Sequence, residues 1–109
     1  MTPSSAKQKG RRKQQEVAAR LREHFGLAET EIVSRPMGSQ GPDLIMSADA
    51  LKKFPFTPEI KNVEKLNVWS AFEQAKANAI THPPILIFSR NRSEVLVCLS
   101  FEEFLKWLK

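Results

Sequence analysis

With 109 residues, 41% of them apolar and 27% charged, the chain has the length and composition of one globular domain. No run approaches the ~18 apolar residues of a membrane helix, and the basic N-terminus MTPSSAKQKGRRKQQ lacks the apolar stretch of a signal peptide. A cytoplasmic protein with no membrane partner is therefore expected, and the single Cys98, with only His24 and His82 beside it, excludes an internal disulfide and leaves no ligand set for zinc.

The formal net charge is +5, and all of it lies at one end. Residues 1–25 carry Lys7, Lys9, Arg11, Arg12, Lys13, Arg20 and Arg22 against Glu16 and Glu23; the remaining residues balance. A concentrated basic segment attracts polyanions, and nucleic acid is the usual one; a solubilising tail is the alternative.

In chain order, residues 1–9 read as a disordered basic arm and residues 10–109 as a single domain. A helix is expected from Arg11 to about Phe25, where Val17, Ala18, Leu21 and Phe25 form an apolar stripe and Gly26 supplies the stop. Glu31 to Ser34 reads as a strand ended by Pro36, followed by a loop rich in Gly38, Gly41 and Pro42. Asp43 to Ser47 is a second short strand, after which Ser47 or Asp49 can cap one helical turn through Leu51 to Phe54. Phe56 to Lys61 is a third strand, with Pro58 marking an edge or a bulge. A second helix spans about Leu66 to Ile80, with Val68, Phe72, Ala75 and Ala79 on its apolar face and Asn67, Ser70, Gln74 and Asn78 on an uncharged polar one. Ile85 to Phe88 and Val95 to Leu99 form a hairpin across the polar turn Arg90 to Ser93. Ser100 and Glu103 then open a terminal helix as a capping box. The order α-β-β-β-α-β-β-α describes an α/β (α+β) fold.

Three charges interrupt the apolar strands. Asp43 follows Gly41-Pro42 and opens one strand; Glu59 and Lys61 flank Ile60 on the next. Residues at i and i+2 of a strand share a face, so Glu59 and Lys61 project together. If residues 43–47 and 56–61 pair, Asp43 lies beside Glu59. Two adjacent carboxylates repel unless a cation joins them, and oxygen ligands of this kind suit Mg2+ or Mn2+. A neighbouring lysine can orient a water or stabilise charge on a phosphate, so the set suits phosphodiester hydrolysis. The alternative is a surface Glu59–Lys61 ion pair with Asp43 as a turn residue.

The ordered set Pro42-Asp43 and Glu59-Ile60-Lys61 on this framework resembles the PD-(D/E)xK nuclease superfamily. More narrowly, the chain is similar to small phage-type endonucleases related to Holliday junction resolvases. The likeness rests on KGRRKQQEV at 9–17, RPMGSQGPDLIMS at 35–47, FPFTPEIKN at 54–62, LNVWSAFEQAKAN at 66–78 and FSRNRSE at 88–94. The resemblance implies a restriction-endonuclease-like core, a central mixed sheet flanked by helices. It implies a Mg2+- or Mn2+-dependent DNA endonuclease, specific for branched DNA in the resolvase-like members. Asp43, Glu59 and the backbone carbonyl of Ile60 become metal ligands, and Lys61 the catalytic lysine. Resolvase-like members add an acid from the first helix; Glu16 or, as an amide, Gln15 occupies that place. Gln74 takes the role of a glutamine near the substrate. Lys9, Arg11, Arg12, Lys13, Gln15, Ser39, Gln40, Arg90 and Arg92 are the expected DNA contacts. Cutting two symmetry-related strands with one site per chain implies a homodimer, for which Trp69, Phe104 and Trp107 are apolar candidates. The alternatives are an inactive nucleic-acid-binding module of the same fold, or a small basic RNA-binding protein.

Overall fold

A computed structural model of the chain describes residues 3–108. The elements run α1 (Pro3–Phe25), β1 (Ile32–Ser34), β2 (Leu44–Met46), α2 (Ala48–Lys53), β3 (Thr57–Asn62), α3 (Val68–Asn78), β4 (Pro84–Ser89), β5 (Leu96–Cys98) and α4 (Phe101–Lys106). The result is a compact α+β fold with two small sheets. Among the described residues no helix is long and apolar enough to cross a membrane.

The first helix starts earlier than its apolar stripe suggests. Residues 3–9, expected as a disordered arm, continue α1; Met1 and Thr2 lie outside the described residues. Ala6, Lys7, Gln8 and Lys9 are good helix formers, and proline is tolerated at a first helical position. Burial begins only at Gln14, Val17 and Ala18, so the early turns stand out from the body. The packed part is tied down at its far end, where Arg22 Nη1 donates to Ile32 O at 2.6 Å.

Two caps match the sequence reading. Ser47 accepts from Ala50 N at 3.0 Å and starts α2; Ser100 accepts from Glu103 N at 3.1 Å and starts α4. The box at Ser100 is half-formed, because the Glu103 carboxylate instead accepts from Trp107 Nε1 at 3.0 Å. In α3 the buried line is Ala71 and Ala75, while Val68 and Phe72 stay half-buried. Small residues there let α3 lie close on the sheet.

The expected single central sheet is divided. β1 and β2 form an antiparallel pair; β3, β4 and β5 form a mixed sheet, with β3–β4 parallel and β4–β5 antiparallel. No ladder joins β2 to β3, and the chemistry of β3 explains why. Thr57 N bonds Pro83 O and Val63 N bonds Ser89 O, so the alternate residues Thr57, Glu59 and Lys61 turn their backbone groups toward β4. Pro58, Ile60 and Asn62 turn theirs to the opposite edge. Pro58 has no N–H to offer there, and the Ile60 N–H is taken by a side chain, the Asp43 carboxylate, at 2.6 Å.

The faces of β3 divide the molecule. Ile60, Ile85 and Ile87 pack with Val17, Ala18, Ile32, Leu44 and Ala50 in the main core. Period-two alternation turns Glu59, Lys61 and Leu86 to the other face, which α3 covers.

Candidate active site

The approach to Asp43 is built by a glycine and an arginine. Gly41 has φ +120°, a conformation open mainly to glycine, and a Cβ there would lie 3.0 Å from Arg35 Cζ. Arg35 Nε donates to Pro42 O at 2.5 Å, and Arg35 N donates to Asp43 O at 2.8 Å. The loop from 36 to 42 is thus closed onto the end of β1, and Asp43 is aimed at the open edge of β3.

There, Asp43 Oδ2 accepts the Ile60 N–H at 2.6 Å, leaving Oδ1 for a second partner. Burial pushes the Asp43 carboxyl up from 3.8 to about 6, and the neighbouring Glu59 charge adds to the rise. The Ile60 hydrogen bond, Lys61 and Arg35 oppose it without cancelling it.

Glu59 is only 6% exposed. Its Oε2 lies 3.6 Å from Lys61 Nζ, and its Oε1 accepts from Asn78 Nδ2 at 3.2 Å. Lys61 reaches outward, its side chain 31% exposed. The Ile60 carbonyl, on the same edge as its N–H, faces the Asp43 side. Asp43 thus meets the backbone of Ile60, Glu59 meets Lys61, and the Glu59 and Lys61 charges both act on the Asp43 carboxyl.

These groups fit a hard divalent cation. Two carboxylates and one carbonyl supply oxygen only, and Mg2+ commonly takes one or two carboxylates while keeping several waters. A half-buried Asp43, raised by desolvation and in part by a second carboxylate, is a donor whose charge a cation would relieve. Among the described residues no group of three His, Cys, Asp or Glu side chains is assembled. A third acid is thus not part of the set.

Glu16 is a correction in this respect. It pairs with Lys13 at 3.1 Å and Arg20 at 3.7 Å on the exposed side of α1, away from the face that carries Val17 and Ala18. The first-helix residue facing inward is Gln14, 8% exposed, whose Oε1 accepts from Ser34 Oγ at 2.9 Å. Ser34 pairs with Leu44, next to Asp43. Gln14 was legible from its spacing of three and four to Val17 and Ala18, but a buried amide does not announce itself beside a glutamate. Gln15 instead lines a cavity of about 360 Å³ with Arg11, Ser34, Arg35 and Met37, which contains no acid.

The other expected contacts scatter. Gln74 is exposed on α3, and Asn78, one turn later, makes the contact to Glu59. Asn67 of the same polar face caps α3, accepting from Ser70 N at 3.0 Å. Ser39 and Gln40 are exposed in the loop before Asp43, with Ser39 Oγ donating to Pro36 O at 2.7 Å. Arg90 and Arg92 are exposed in the β4–β5 turn, and Arg90 shares a cavity of about 420 Å³ with Glu64 and Glu94. Lys9 is half-buried, Arg11 and Arg12 are exposed, and Lys13 is engaged by Glu16.

No family model, curated protein or solved structure matches this chain.

Proposed function

We propose that the protein is a Mg2+- or Mn2+-dependent DNA endonuclease of the PD-(D/E)xK kind that hydrolyses phosphodiester bonds, with branched DNA as its preferred substrate. The observation that carries this reading is the Asp43–Ile60 hydrogen bond, which joins the Pro-Asp turn to the Glu-x-Lys strand across a gap in the sheet. A structural ion pair between Glu59 and Lys61 has no need of a second, half-buried carboxylate beside it.

Asp43, Glu59 and the Ile60 carbonyl would hold the cation, which when bound supplies Lewis acidity toward the phosphate and acidifies a bound water. Lys61, half-exposed beside Glu59, reaches toward solvent, where it orients the attacking water or stabilises charge on the transferring phosphate. The bond that breaks is P–O of the backbone, and water supplies the new oxygen. Burial of Glu59 keeps its carboxylate from turning freely, so the ligand is held before substrate arrives.

DNA binding is assigned to α1 and the cavity beside it. Arg11 and Arg35 bring two guanidinium groups to a cavity with no acidic lining, a fit for backbone phosphates. Lys7, Lys9 and Arg12 extend the positive charge along the helix. A second protomer is proposed on the face that exposes Trp69 (86%), Phe101 (73%) and Leu105 (48%), with α4 contributing no buried residue of its own. Phe104 and Trp107 belong to the same helix end, although Trp107 also packs on Phe56 with ring centroids 5.3 Å apart.

The second reading, a catalytically inactive nucleic-acid-binding module, draws on Gln14, an amide on the inward face of the first helix where resolvase-like nucleases carry an acid. One assay separates the two: four-way junction, flap, linear duplex and single strand incubated with Mg2+, Mn2+ or EDTA. Metal-dependent nicking, strongest on the junction, is the expected result. Binding without cleavage under every metal would support the inactive module instead.

A further inference from the structure

Glu59 is buried beneath the C-terminal end of α3, which closes at Asn78. This is an adverse place for a carboxylate, because the last carbonyls of a helix present partial negative charge. Its two oxygens are held in different ways. Lys61 Nζ lies 3.6 Å from Oε2, while Asn78 Nδ2 donates to Oε1 at 3.2 Å. One partner is charged and half-exposed; the other is neutral and fixed to the last turn of a packed helix.

The difference in charge matters. A lysine or arginine at position 78 would add a second cationic partner alongside Lys61, one on each oxygen, and both would compete with any cation for Glu59. An apolar residue would leave a buried oxygen without a donor, at a cost in folding. Asparagine supplies the donor and leaves the negative charge undiminished. It is also short, so its rotamer is set by the backbone of α3, which Ala71 and Ala75 press against the sheet. Gln74, one turn earlier and exposed, makes no such contact with Glu59.

We infer that Asn78 is a positioning residue. It holds Glu59 by Oε1, the oxygen that Lys61 does not face, and so fixes the plane of the carboxylate that would share a divalent cation with Asp43 and the Ile60 carbonyl. The inference rests on the metal-dependent reading above. Its consequence is that the cation affinity of the centre is set in part by α3, an element with no ligand of its own. Groups that orient a ligand in this way typically change metal affinity or activity by about 10–100-fold when removed.

The test measures metal binding directly, with no DNA present. Mn2+ is titrated into wild-type protein, Asn78→Ala and Asn78→Ser, and free Mn2+ is followed by electron paramagnetic resonance. Circular dichroism and melting in EDTA check that each variant is folded. Serine keeps a polar group that is one bond shorter, so it serves should alanine fail to fold. The expected result is Mn2+ binding weakened by about tenfold or more in the variants. In cleavage assays the Mg2+ concentration for half-maximal rate should rise by a similar factor, while KM for DNA at saturating Mg2+ stays unchanged. Wild-type Mn2+ affinity in a folded variant would overturn the role of Asn78 and leave the nuclease reading standing. Absence of Mn2+ binding by the wild-type protein, together with absence of cleavage, would overturn both.

Discussion

Asp43 stands against Ile60 as a missing strand would: its Oδ2 accepts the Ile60 N–H at 2.6 Å, on the edge of β3 that no ladder covers. A main-chain carbonyl would satisfy that N–H without charge. The carboxylate satisfies it while bringing a half-buried negative group near Glu59, and partial burial first, then the Glu59 charge, push the carboxyl up to about 6. The gap in the sheet is therefore the place where folding and the proposed chemistry compete.

The first prediction follows from the sign of that shift. The folded-state value of about 6 lies above the ordinary 3.8, so between those limits the folded protein holds a proton that the unfolded chain has released. Stability due to Asp43 falls as pH rises through this window, and the penalty is complete above it. Asp43→Asn keeps an acceptor for the Ile60 N–H and removes the charge. In EDTA at about pH 8 it should be more stable than wild type by about 1–2 kcal/mol, after discounting for partial solvation. The gain should vanish below pH 3.8, where the carboxyl is protonated in both states. Identical thermal melts at the higher pH would remove the charge strain from Asp43.

Lys61 should separate binding from chemistry. Lys61→Ala is expected to lower cleavage by at least about 100-fold, the usual effect of losing a group that stabilises transition-state charge. Its Kd for DNA should change by no more than a factor of a few, because the excess positive charge lies on α1. Lys61→Arg should not restore activity, since a planar guanidinium does not replace a compact ammonium. Single-turnover cleavage at wild-type rate by the alanine variant would remove Lys61 from the mechanism.

The N-terminal turns of α1 carry charge and, among the described residues, no buried residue. Deleting residues 1–9 removes Lys7 and Lys9 and none of the buried residues Gln14, Val17 and Ala18. If both lysines meet phosphates, the slope of log affinity against log salt should become shallower by about 1 to 2 units on duplex DNA. The melting temperature should hold. A salt titration in a Lys61→Ala background measures the slope without cleavage; coincident lines for the two lengths would make these turns a solubilising tail.

Gly41→Ala should act at the site through Arg35. The φ of +120° is strained for any residue with a Cβ, and the added methyl meets the Arg35 guanidinium at 3.0 Å. A stability loss of about 1–3 kcal/mol is expected from the backbone alone. Cleavage measured well below the melting temperature should fall as well, because Arg35 and the Pro42–Asp43 turn shift together. Full activity in a variant of reduced stability would show that the turn does not set the direction of Asp43.

Most elements were legible in the sequence. The stripe Val17, Ala18 and Leu21, the caps Ser47 and Ser100, and the short runs around Leu44, Ile60, Leu86 and Val97 are local signals, and each gave the element it implied. That Asp43 belongs near the Glu59-Ile60-Lys61 segment was legible as a need for partners of charges in apolar strands, but the expected strand pairing is replaced by a carboxylate on the Ile60 N–H. What only the tertiary structure decided was which group meets which. Glu16 and Gln14 lie two residues apart, yet rotation of α1 against β1 buries the amide and leaves the acid with Lys13 and Arg20. The break between β2 and β3 depends on one proline and one carboxylate meeting at an edge, distant in sequence. Asn78 looked like part of a polar surface until α3 settled on its alanines over Glu59. Periodicity is a property of neighbours along the chain, whereas hydrogen-bond partners across it are chosen by packing, which a linear pattern does not encode.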